Sequence, residues 1–138
     1  MVVHPGVGAN TLQEYLQLAK GKPGALTYAS AGPGTTPHLA AVQFMRLAGV
    51  QMTHVPYRGA APAVTDLASG QVQVLSVGAA PVAGVMASGD VRALAAATKA
   101  RMPLLPDLPT AAEAGLPGFE STTWFGLVAP ARTPQSSQ

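Results

Sequence analysis

The chain has no cysteine, which removes a disulfide scaffold, a thiolate metal site and a cysteine nucleophile in one step. It is poor in charge: only 10% of its residues are Asp, Glu, Lys or Arg. The eight basic residues are scattered as Lys20, Lys22, Arg46, Arg58, Arg92, Lys99, Arg101 and Arg132, so no basic stripe accompanies the formal net charge of +2. Aromatic residues are few as well, with three Phe, three Tyr and one Trp. Without a cationic face or a stacking platform, nucleic acid is excluded as a partner. No apolar run approaches the roughly 20 residues that a membrane span needs. The three histidines, His4, His38 and His54, have neither a carboxylate nor a second histidine at metal spacing, so neither a metal nor another cofactor is expected. Met1 to Pro5 lacks the basic start and full apolar stretch of a signal peptide, which leaves open whether a leader precedes it.

What is present suits a single packed domain. At 138 residues with 48% hydrophobic composition, the chain is long and apolar enough for a real core. An apolar opening, residues 1–3, is stopped by Pro5. Thr11 and Glu14 then have capping-box spacing for a helix over 12–21, with Leu12, Tyr15, Leu16 and Ala19 on one face and Gly21 at its end. Short apolar runs over 26–29, 52–57, 72–77 and 91–97 read as strands. Helical patterns alternate with them, beginning at Pro37, Pro62 and Gly78. Strict alternation of this kind argues for α/β architecture with a mainly parallel sheet and helices on both faces. Beyond residue 98 the pattern changes. Thr110 and Glu113 repeat the capping-box spacing for a short helix ended by Gly115, and 121–129 reads as a long strand around Trp124 and Phe125.

One loop organises these segments. From Ser30 to Thr35 the residues are small, so backbone amides can approach a ligand closely. Thr36 is placed to cap a helix whose first residue is Pro37, where a missing N–H costs nothing. Strand, glycine loop and helix start together present unpaired N–H groups and the positive end of a helix dipole, whose natural guest is a small anion. In parallel sheets the ligand sits beyond the carboxyl ends of the strands, where residues 57–62 and 78–81 join this loop. The loop is not a Walker A sequence, because no Lys-Ser or Lys-Thr pair follows it. A plain strand-to-helix turn is the competing reading. His38, one turn into the helix, reads as packing as readily as a ligand contact. Tyr57-Arg58 offers an anion partner or simply a solvated face. A hydrolase using Ser30 with His38 or His54 and Asp66 or Asp107 lacks the Gly-x-Ser-x-Gly elbow and an evident base-and-orienter pair.

Several stretches resemble one family in one order. They include Lys22-Pro23-Gly24, Tyr28-Ala29-Ser30, Gly32-Pro33-Gly34-Thr35 with His38-Leu39-Ala40, and His54-Val55-Pro56-Tyr57-Arg58-Gly59 with Ala61-Pro62-Ala63. Asp66-Leu67, Gly70-Gln71-Val72, Arg92-Ala93-Leu94-Ala95, Leu105-Pro106-Asp107-Leu108-Pro109-Thr110, Glu113-Ala114-Gly115 and Trp124-Phe125-Gly126-Leu127 with Ala129-Pro130 continue it. The chain is similar to the Bug-type periplasmic solute receptors of tripartite tricarboxylate transporters, over residues 2–134. The resemblance implies the second lobe of a two-lobed receptor, with hinge segments at 1–5 and 121–130 and a disordered tail at 135–138. The implied fold is a three-layer lobe of the type II periplasmic-binding-protein kind, mostly parallel, with one antiparallel strand from the C-terminal segment. The implied function is non-enzymatic capture of an organic acid in the periplasm, with the transporter's membrane components as further partners.

Carried over residue by residue, the binding set is Ser30, Ala31, Gly34, Thr35 and Thr36, with Pro37 and His38 behind them. Tyr57 and the loop at Gly78 and Ala79 complete the set. Many family members carry an Asp-Asn pair where this chain has Gly78-Ala79, so a less substituted acid is favoured. The rivals are a small hydrolase built on Ser30 and a truncated module that binds nothing and self-associates, as a homodimer, through an exposed lobe interface at Trp124 and Phe125.

Overall fold

A computed structural model describes residues 1–124 and 126–131 of the chain. Among the described residues, four α-helices and five strands follow one another as β1 (Val2–Val3), α1 (Leu12–Gly21), β2 (Thr27–Ser30), α2 (Thr36–Ala48), β3 (Thr53–Pro56), α3 (Ala60–Ala68), β4 (Val74–Leu75), α4 (Ala79–Ala87) and β5 (Arg92–Ala93), with a short 3-10 helix at Pro5–Val7 between β1 and α1. Local chemistry accounts for the helix ends. Thr11 accepts the Glu14 N–H at 3.2 Å, and the Glu14 carboxylate reaches back to the Asn10 N–H at 2.6 Å, so the capping box closes one residue earlier than its usual form. Gly49 ends α2 in the left-handed region at φ 65°, which a side chain would resist.

The sheet runs β3-β2-β4-β1-β5. β2 is parallel to both β3 and β4, and β1 is antiparallel to both β4 and β5. The mixed α/β architecture therefore stands, but the antiparallel strand is the N-terminal one. The strand expected over 121–129 is absent among the described residues: Ser121 makes one backbone bond to Ala97 O, at 2.9 Å, and the chain then leaves the sheet. Trp124, expected in a core or lobe interface, is 86% exposed. Phe125 and residues 132–138, including the expected tail, lie outside the described residues. The capping box at Thr110 and Glu113 does form, with bonds of 2.8 and 3.1 Å, yet it closes a turn rather than a helix because Gly115 and Pro117 follow at once.

Strand alternation divides the core into two layers, one on each face of the sheet. Val3, Tyr28 and Val74 point to one side, where they meet Leu12, Tyr15 and Ala19 of α1 and Ala40 and Phe44 of α2. Val2, Ala29 and Leu75 point to the other, where they meet Val64 and Leu67 of α3 and Val82 of α4. The result is three layers, helix on sheet on helix. It leaves the carboxyl ends of β2, β3 and β4 at one edge, each followed directly by the start of a helix.

Candidate anion site at the start of α2

The loop 31–35 is held by its own backbone and by the next loop. The Tyr57 N–H donates to Ser30 O at 3.0 Å and the Gly59 N–H to Ala31 O at 3.3 Å, which fixes loop 57–59 against it. Within the loop, the Thr35 hydroxyl donates to Gly32 O at 2.6 Å and the Thr35 N–H meets the same carbonyl at 3.3 Å. Gly32, at φ 129°, turns the chain where an added Cβ would stand 3.6 Å from Tyr57 O. Gly34, Gly59 and Gly78 have nothing within 4 Å of where a Cβ would stand, so the three loops face open space.

The structure moves the helix start by one residue. Thr35, not Thr36, is the N-cap of α2, and its hydroxyl makes no capping bond because it is spent on Gly32 O. Thr36 is the first helical residue and Pro37 the second.

The amides divide into two sets. Those of Gly32, Gly34 and Thr35 have acceptors within the protein: Ser30 Oγ at 3.1 Å, His38 Nδ1 at 2.9 Å and Gly32 O at 3.3 Å. Among the described residues the N–H groups of Ala31, Thr36 and His38 have none. Thr36 and His38 belong to the first helical turn, whose donors have no intrahelical partner by construction. These open donors lie at the positive end of a 13-residue helix.

Ser30 is fully buried, and its Oγ meets His54 Nε2 at 2.7 Å, the Gly32 N–H at 3.1 Å and Gly32 O at 3.2 Å. It shapes the loop from beneath, with no surface of its own exposed. His54, expected on a strand and named only as a candidate base for a hydrolase, lies against Ser30 beneath the loop. Parallel register sets it opposite Tyr28, and the rings stack at 4.8 Å. His38 then lies on His54 at 4.3 Å with 3° between the planes. Burial first, and the neighbouring His38 second, hold the His54 pKa below the ordinary histidine value. Only strand register brings Tyr28 and His54 together, and these parallel strands are joined through a helix, so no tight turn fixes that register locally.

Tyr57 points away from loop 31–35, with its hydroxyl donating to Asp66 Oδ2 at 2.7 Å. Burial, then the hydrogen bond and charge of Asp66, push the Tyr57 pKa up to about 12. Its backbone belongs to the edge, whereas its side chain braces α3. Gly78 caps α4 and Ala79 opens it, beside the end of β4. The pairing of Ser30 with His54 supplies the base that the hydrolase reading lacked. Two things are still missing: Ser30 has no exposed surface, and among the described residues no carboxylate bonds to His54. A separate hollow of about 420 Å³ is lined by Ala93 and Leu104 to Leu108, with the carboxylate of Asp107 already standing in its wall.

A three-layer lobe whose parallel strands deliver loops and helix starts to one open edge is the architecture of a periplasmic-binding-protein lobe. Comparison with known proteins gives the same class and narrows it. The family described as tripartite tricarboxylate transporter family receptor (TctC) matches residues 1–137, and the chain belongs to that family. Among curated relatives, the UPF0065 protein in the tcbD-tcbE intergenic region of Pseudomonas sp. (strain P51) is 44% identical over 126 residues, covering 91% of this chain and 38% of that protein. BugT of Bordetella pertussis is 32% identical, covering 96% and 41%. Among solved structures, an R. palustris protein with adipate superposes at a TM-score of 0.92 with 36% identity, over 98% of this chain and 45% of that one. MatC from Rhodopseudomonas palustris with bound malate gives 0.82 and 32%, over 86% and 40%. The chain thus spans 38–45% of the length of these four relatives. Among the described residues no helix is long and apolar enough to cross a membrane.

Proposed function

We propose that this chain is one lobe of a periplasmic solute receptor and holds one carboxylate of a small organic acid at the start of α2. The observation that carries the reading is the set of open N–H groups at Ala31, Thr36 and His38, the last two in the first turn of α2 at the positive end of its dipole. Family relatives solved with adipate and with malate support a carboxylate as the guest. In this reading Gly78 and Ala79 line the same edge without a charged side chain, which favours an acid with few polar substituents. The whole receptor would close a second lobe over the ligand and present it to the transporter's membrane components. No step of this task needs a reaction.

A single lobe leaves most of the ligand in water, so the chain by itself should bind adipate only in roughly the millimolar range. Amide NMR titration with adipate and with malate checks this. Shifts should concentrate at Ala31, Thr36, His38, Gly78 and Ala79. Shifts centred on the hollow at Leu104 to Leu108, or none at either acid, would overturn the assignment. The exposed segment of Trp124, Leu127 and Val128 also favours self-association of the isolated chain, and sedimentation would then show a concentration-dependent dimer.

A further inference from the structure

Each half of the anion loop is tied to one imidazole. His38 Nδ1 accepts the Gly34 N–H at 2.9 Å, so that ring carries a lone pair at Nδ1 and its proton on Nε2. His54 holds the Gly32 amide through Ser30, whose Oγ lies 2.7 Å from His54 Nε2 and 3.1 Å from the Gly32 nitrogen. The two rings touch face to face.

We propose that His38 is a proton-carrying gate on the loop: a proton taken from solvent at Nδ1 releases the Gly34 N–H and sets a cation beside the first turn of α2, so carboxylate and proton are taken up together. The inference rests on the carboxylate reading above. Its core is a conflict of geometry, because Nδ1 cannot bear a proton and also accept the Gly34 N–H at 2.9 Å. Releasing that amide adds a fourth donor to the open set of Ala31, Thr36 and His38.

The surroundings agree with a single proton on the pair. Tyr28 faces it from β2, and the two histidines face each other from β3 and α2. Among the described residues no carboxylate forms a hydrogen bond or ion pair with either ring, so a bound carboxylate would be the first counter-charge the pair meets. Stacked rings disfavour two charges, and burial together with His38 already disfavours the charged form of His54. Linkage is reciprocal: if a proton on His38 tightens anion binding, the anion tightens the proton.

Calorimetry on the full chain with adipate as the probe, at about pH 6 and about pH 8, brackets the ordinary histidine value while adipate stays largely ionised. Wild type should bind more tightly at the lower pH, by at most about tenfold per pH unit, with net uptake of up to one proton per adipate. His38→Asn places an amide oxygen where Nδ1 stood, so it keeps the Gly34 bond but cannot titrate. It should bind weakly at both pH values, without proton uptake. His54→Gln preserves the contact to Ser30 and should keep the linkage. A purely structural His38 would instead leave wild-type affinity the same at both pH values, with no proton taken up.

The Gly34 amide resonance, followed without ligand, should move with pH in wild type and stay fixed in His38→Asn; a stationary wild-type resonance overturns the gate. Adipate binding without proton uptake overturns the gate alone. Absence of binding at either pH overturns it together with the carboxylate reading.

Discussion

Ser30 Oγ stands between the Gly32 N–H at 3.1 Å and His54 Nε2 at 2.7 Å, in a position with no exposed surface. Ser30→Ala would strip the Gly32 amide of its acceptor and His54 of its partner. An unsatisfied buried donor costs about 1–3 kcal/mol, so urea unfolding should lose that much stability, with the loop 31–35 becoming mobile in NMR relaxation. His54 makes a second prediction at the same scale. Its pKa is depressed in the folded state by burial and then by His38, so as pH falls the unfolded chain takes up the proton first. That contribution to stability is present above the ordinary histidine value of about 6.5 and is lost as pH drops below it toward the folded value. The fall in stability measured by denaturant midpoint over this window should flatten in His54→Gln, whose amide keeps the bond to Ser30 and does not titrate.

At the scale of the element, α2 does two things with its ends. Its first turn leaves donors open because Thr35 spends its hydroxyl on Gly32 O and makes no cap. Thr36→Pro tests those donors cleanly: proline is favoured at the first helical position and deletes one N–H without disturbing the helix. The melting temperature should hold or rise while adipate binding weakens about tenfold, as expected for one hydrogen bond to a charged group of about 1.5 kcal/mol. At the other end, Gly49 at φ 65° closes the helix, and Gly49→Ala should cost about 1 kcal/mol in thermal or urea unfolding. The capping box at Thr110 and Glu113 shows the limit of such signals. Its bonds form, yet Gly115 and Pro117 leave no room for a helix to propagate, and nucleation without propagation yields a turn.

For the whole molecule, the sheet is a partition between two cores, and each side can be tested by one residue. Leu67, fully buried on the α3 and α4 side, should cost about 2–5 kcal/mol as Leu67→Ala, read by denaturant unfolding. The same partition explains where the site lies. Parallel β3, β2 and β4 all end at one edge, so α2, α3 and α4 all begin there. Among the described residues no strand forms around Trp124, and the antiparallel place between β4 and β5 is held by β1. Trp124, Leu127 and Val128 consequently stand in solvent, where the lobe's interaction surface is expected.

Local order was decided within the sequence. Thr11 with Glu14, Gly49 after Ala48, Pro37 near a helix start and the small residues from Ser30 to Thr35 act over a few positions. Their geometry follows from capping, φ preference and size, whatever the rest of the chain does. The alternating strands and helices likewise set the α/β class. Tertiary structure alone decided that β1 is the antiparallel strand, that His54 lies against Ser30 and His38, and that the Gly34 N–H bonds to a ring nitrogen. These depend on strand order and register, which arise when residues far apart in the chain bury their surfaces together, so no short stretch of sequence contains them.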